Sequence, residues 1–132
     1  MMAAADRCMD EVVLYLLQVL QVTRLERILA YELLGASCAN DKDFFSLGKA
    51  YKYLRIGTEL RADSDDPEIR EKKDLKTYPA YNGVKEFVDL AGLDAVNLSI
   101  DNMFMHCLAV RERIMGKFSL ELDPDMFGLA MK

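Results

Sequence analysis

The chain has 132 residues, 52% of them hydrophobic and 30% charged. That is apolar material enough for one core, which excludes intrinsic disorder and fits a single domain over 1–132. A net charge of −5 and a pI near 4.9 argue against general nucleic-acid binding, which draws its affinity from excess cations. The longest apolar run, Val12 to Leu17, falls far short of the roughly 20 residues of a membrane span. Asp6, Asp10 and Glu11 stand where a secretory leader would carry basic residues.

Helical periodicity dominates the N-terminal half. The first predicted helix runs from Asp6 to Gln21, with Met9, Val12, Val13, Leu16, Leu17 and Leu20 at helical spacing and Leu14, Tyr15 and Val19 on the other side. A helix apolar nearly all round is either the centre of a fold or half of an oligomer interface. Thr23-Arg24-Leu25-Glu26 reads as a capping box that opens a second helix. Gly35 and the small residues after it supply that helix with an exit. Asn40 or Asp41 caps a third, with Phe44, Phe45, Leu47, Tyr51 and Leu54 as its apolar stripe, Lys49, Lys52 and Arg55 outward, and Gly57 at its end.

Composition then changes abruptly. Residues 58–77 form a charged connection in which only Leu60, Ile69 and Leu75 are large and apolar, with one helical turn expected at Pro67. A fourth helix is marked by Pro79, carries Val84, Phe87, Val88 and Leu90, and closes at Gly92. Ala95 to Leu98 reads as a short extended piece. A fifth helix begins near Ser99 or Asp101, carries Met103, Phe104, Cys107, Leu108, Val110, Ile114 and Met115, and closes at Gly116. The tail 119–132 is apolar enough either to pack back on the domain or to meet a partner. The expected fold is therefore an all-α bundle of about five helices, with at most one very short strand near 95–98.

Reactive groups are sparse. Cys8, Cys38 and Cys107 are odd in number and widely spaced, which reads as reduced thiols in a cytoplasmic or nuclear protein. His106 and Cys107 are chain neighbours that a helix turns about 100° apart, so they form no nucleophile–base pair. Asp63, Asp65, Asp66 and Glu68 lack the glycine and terminal glutamate of a calcium loop. Phosphate-cradling glycine motifs are absent. No catalytic residue, metal ligand or cofactor is assigned.

Lys52-Tyr53-Leu54-Arg55-Ile56-Gly57, the stretch from Asn82 to Asp94, and Val110-Arg111-Glu112-Arg113-Ile114 together resemble a PUB (PUG) domain over 52–117. That is the small helical module of peptide:N-glycanase and of ubiquitin-pathway proteins. Thr58 replaces the usual Asn, and the connection that follows is longer than the family's. The resemblance implies a non-catalytic module that binds a short acidic-aromatic peptide, such as the tail of a hexameric AAA ATPase, at Lys52, Tyr53 and Arg55. Asp125, Met126, Phe127 and Gly128 look like such a peptide themselves, and form either a self-ligand or a turn packed on the core. The expected partner is another protein or short peptide, neither nucleic acid nor membrane. The alternative is a homodimer or larger homo-oligomer that uses the first helix and the Met-rich tail.

Overall fold

A computed structural model describes residues 1–40, 46–72, 75 and 83–121, with side chains described at 1–39, 46–72, 75 and 83–116. Among them are seven helices: α1 (Met2–Asp6), α2 (Asp10–Val19), α3 (Arg24–Asn40), α4 (Leu47–Ala62), α5 (Pro67–Arg70), α6 (Leu90–Val96) and α7 (Ile100–Glu121). The all-α class read from periodicity is the observed one. No helix among the described residues is long and apolar enough to cross a membrane.

Helix starts follow local chemistry. The Thr23 hydroxyl accepts from the Glu26 amide at 3.1 Å, and the Glu26 carboxylate accepts from the Thr23 amide at 3.1 Å, so the expected capping box opens α3. Ser46 caps α4 by accepting from the Lys49 amide, and Asp89 caps α6 by accepting from Gly92 at 2.7 Å. The expected turn at Pro67 forms as α5, capped by Asp66.

Helix ends depart from the glycine-based expectation. Gly35, Gly57, Gly92 and Gly116 all lie inside helices. The first two mark a close approach instead of an exit. A Cβ on Gly35 would come within 2.9 Å of the Ala50 carbonyl oxygen, and one on Gly57 within 3.0 Å of Glu32 Cγ. Helices α3 and α4 therefore pack antiparallel at short range, each supplying a glycine to the contact. Arg24 at the start of α3 donates to the Leu60 carbonyl near the end of α4, which completes the pairing.

The small residues expected to release α3 turn out to be its most buried part. Gly35, Ala36, Ser37, Cys38 and Ala39 are all buried, because small side chains let several helices approach one axis. Leu33 and Leu34 fill the remaining core with Leu54 of α4, Leu93 of α6, and Met103, Val110 and Ile114 of α7. Helix α3 is the centre of the fold.

Four further expectations are corrected. The first predicted helix, 6–21, is α2 over Asp10–Val19; residues 7–9 form a turn in which Cys8 adopts φ 56°, and α1, not expected, precedes it. Residues 95–98 are the end of α6 and its turn, not a strand. The fourth predicted helix starts at Leu90 instead of near Pro79, since residues 83–89 are irregular and 76–82 lie outside the described residues. Cys8 and Cys38 are joined as a disulfide, and only Cys107 is free. Wide sequence spacing hid this pairing, because α1 and α2 fold back along α3. Five expected helices become seven, among the described residues, with α1 ahead of the Cys8 turn and α5 at Pro67.

Candidate functional site

Helix α2 lies at the edge of the fold and buries only Val13 and Leu17. Its start is fixed by Asp10, which accepts from the Tyr53 hydroxyl at 3.0 Å and pairs with Lys49 at 3.1 Å. Its end is held by Arg27, which donates to the Leu17 carbonyl. The side turned away from α3 carries Met9, Val12, Tyr15, Val19 and Leu20, exposed by 44, 39, 62, 54 and 47%. Val12, Tyr15 and Val19, at spacings of three and four residues, share one face of the helix, and Met9 and Leu20 flank it at the two ends. Isolated exposed apolar residues are ordinary, but a contiguous rigid set of them is a feature of interaction surfaces. The sequence made this helix apolar all round; the structure decides that it is an edge.

The residues named by the family resemblance are divided by α4. Lys52 and Arg55 face outward. Arg55 pairs with Glu59 at 2.9 Å, and that hydrogen bond, with Tyr51 and Glu59 nearby, holds its guanidinium even more firmly protonated. Tyr53 points inward, is 2% exposed, and stacks on Tyr31 with ring centroids 6.3 Å apart. Burial and its bond to Asp10 push the Tyr53 hydroxyl up to about 12. In this structure Tyr53 is a core contact between α2, α3 and α4. The Lys52 ammonium lies 5.3 Å from its ring centroid. Asp125, Met126, Phe127 and Gly128 lie outside the described residues.

A buried charge network was not anticipated. Glu32 of α3 receives Arg61 of α4 through two bonds of 2.8 and 2.9 Å, and Arg113 of α7 at 3.2 Å. Glu86 receives Arg113 at 2.7 and 3.1 Å and Lys72 at 3.2 Å. Arg61 also donates to the Ile69 carbonyl, and Lys72 to the Phe87 carbonyl at 3.0 Å, with its ammonium 3.9 Å from the Phe87 ring centroid. Burial would raise the Glu32 carboxyl, but Arg61, Lys72 and Arg113 together bring it down to about 2. Burial lowers Lys72, with Glu32 and Glu86 opposing. For Arg113 the two carboxylates outweigh burial and raise it. The network fastens α5 at Ile69 and the irregular residues Lys72, Glu86 and Phe87 to α3, α4 and α7. Much of it comes from the stretch read as a solvated connection, whose first residues, 58–62, continue α4. One signal was present: Glu32 lies among Ile28, Leu29, Leu33 and Leu34, where a carboxylate needs a buried partner.

Reactive chemistry does not gather. Burial pushes the Cys107 thiol up to about 12 and moves His106 down, so both are neutral at pH 7. A thiol held protonated is a poor nucleophile. Among the described residues no three of His, Cys, Asp and Glu are placed to hold a metal ion.

No protein-family model matches the chain. Similarity is found to fem-1 homologues. The chain is 40% identical over 91 residues to Protein fem-1 homolog C of Danio rerio, covering 69% of this chain and 14% of that protein. It is 37% identical over 95 residues to Protein fem-1 homolog CG6966 of Drosophila melanogaster, covering 72% and 14%. Against Protein fem-1 homolog A of Danio rerio it is 35% identical over 117 residues, covering 88% and 19%. The chain thus spans 14% to 19% of the length of these curated relatives.

Proposed function

We propose that this chain is a non-catalytic protein–protein interaction module that docks a partner protein through the outward face of α2. One observation carries the reading: Val12, Tyr15 and Val19 form an exposed apolar face on a helix fixed at both ends, with exposed Met9 and Leu20 flanking it. Anchors at i, i+3 and i+7, here Val12, Tyr15 and Val19, suit an apolar groove or a second helix on the partner. Tyr15, the most exposed of the five, brings a large apolar ring with a hydroxyl at its tip, a side chain favoured at interface centres. Similarity to one part of much longer fem-1 homologues is in keeping with a module.

The test is site-specific photo-crosslinking in cells. A crosslinker at position 15 should capture a discrete partner, and Val12→Asp should abolish the capture. A crosslinker at the exposed Lys85 serves as control, and equal capture from both positions would sink the reading. Light scattering on the isolated chain reveals whether the partner is a second copy.

A second reading keeps the acidic-aromatic peptide of the PUB resemblance. It draws on Lys52 and Arg55, which face outward one turn apart on α4 and offer two cations to an acidic segment. Tyr53 then serves as their buried support. Titration of the labelled chain with a peptide copying 119–132 should move the Lys52 and Arg55 resonances saturably. Absence of shifts at millimolar peptide removes this reading and leaves the α2 face untouched.

A further inference from the structure

Helices α1 and α2 form an arm on the side of α3. Helix α1 has five residues, too few for a stable isolated helix. It is held to the fold by fully buried Ala5, by the Asp6–Arg111 ion pair at 2.7 Å, and by the disulfide from Cys8 to Cys38 near the end of α3. Cys8 is the only non-glycine with positive φ among the described residues, a conformation that costs a side-chain-bearing residue free energy unless the surroundings impose it. The turn between α1 and α2 is closed by backbone bonds from the Cys8 amide to the Ala5 carbonyl at 3.1 Å and from the Met9 amide to the Ala4 carbonyl at 3.0 Å, and the disulfide is the covalent tie between that turn and α3. The arm carries the whole outward apolar face described above.

We propose that Cys8 and Cys38 form a thiol–disulfide latch that sets how firmly the α1–α2 arm, and with it the docking face, is held against α3. The regulatory part of this inference rests on the docking reading; the latch itself does not. The reductant is a dithiol. Its thiolate attacks the sulfur of Cys8, which is 6% exposed where Cys38 is fully buried. The Cys8–Cys38 bond breaks as the mixed disulfide forms, and Cys38 leaves as a thiolate that takes up a proton. The second thiol of the reductant displaces Cys8 and closes the reductant's own disulfide. Two electrons and two protons pass to the pair. Cys107, buried and held as a thiol, takes no part.

The experiment uses the full chain without any partner, purified in air and then divided into an untreated and a dithiothreitol-treated sample. Alkylation and mass spectrometry should find no reactive thiol in the folded oxidised protein and two, Cys8 and Cys38, in the folded reduced one. Cys107 should label only after denaturation. Amide hydrogen exchange should then quicken on the order of tenfold or more over 2–19 on reduction, while 47–62 stays unchanged. The Cys8→Ser variant should match the reduced sample in either buffer. Failure of the disulfide to form, or equal exchange over 2–19 in both states, overturns the latch. So does reduction that unfolds α3 and α4 as well, which would make the bond a plain staple. Because exchange is read without a partner, failure of the docking reading shows only in the crosslinking of Val12→Asp and leaves this result independent.

Discussion

Helices α2 and α3 are neighbours with opposite compositions and opposite fates. Helix α2 is built from Val, Leu and Tyr, yet buries only two of its ten side chains. Helix α3 contains Glu32, Gly35 and a run of small residues, yet is buried almost throughout its C-terminal half. Burial on a helix is set by how many neighbours can reach it, and small side chains let neighbours in. Gly35 admits α4, Cys38 ties down the α1–α2 break, and Glu32 draws in two arginines. Large apolar side chains give no such advantage by themselves. On α2 they face outward, where a partner would remove them from water.

The comparison breaks most readily at Glu32. Glu32→Gln keeps the shape and removes the charge that Arg61 and Arg113 share, leaving buried cations undercompensated. A loss of about 3–5 kcal/mol in urea unfolding at pH 7 is expected. The pH profile sharpens the assignment. The folded Glu32 pKa of about 2 lies below its ordinary 4.5, so its stabilisation is complete above the unfolded value and fades as pH falls through the folded one. Across that window the native chain should lose on the order of 3 kcal/mol through this group, a component missing from the Gln variant. Equal slopes in the two proteins would show that the network does not hold Glu32 ionised.

Gly35→Ala comes next. Alanine is the better helix former by about 1 kcal/mol, so a helix judged on propensity alone would gain. Here the new methyl meets the Ala50 carbonyl oxygen, a backbone atom that cannot swing aside. A net loss of about 1–3 kcal/mol in thermal unfolding is expected. A gain would mean that α3 and α4 can separate without cost. Tyr53→Phe is milder, because the ring still stacks on Tyr31 and Asp10 retains Lys49. Loss of the hydroxyl bond should cost about 1 kcal/mol.

Much of this was legible in the sequence, and the gaps have physical causes. The helical class, the capping box at Thr23 and the turn at Pro67 follow from periodicity and local hydrogen bonding, which the chain carries within a few residues. Helix ends were misplaced because a glycine that stops a helix and one that lets two helices touch look alike until the second helix is placed. Gly35 and Gly57 are the second kind. Likewise Arg61 and Lys72 read as solvated because charged residues usually are; only tertiary structure brings them to Glu32, Glu86 and Arg113. The motif at Lys52–Gly57 marked a real helix, but its tyrosine faces the core where a pocket was expected. The apolar character of the first helix was plain, and whether that meant centre or interface required knowing that α3 had taken the centre.

The smallest expected effect is the one that best separates the two helices. Tyr15→Ser removes the most exposed large side chain of α2, and no described element packs on that face. Serine is a slightly poorer interface former and a comparable helix residue, so folding stability should stay within about 0.5 kcal/mol of the native chain. Leu34→Ala on α3 removes fewer atoms from a fully buried site and should cost about 2–5 kcal/mol. If Tyr15→Ser destabilised the isolated chain as Leu34→Ala does, α2 would be a core helix whose outer face is covered within the chain itself. If it left stability alone and abolished capture by a crosslinker placed instead at Val19, the apolar side chains of α2 would act on the partner, and those of α3 on the fold.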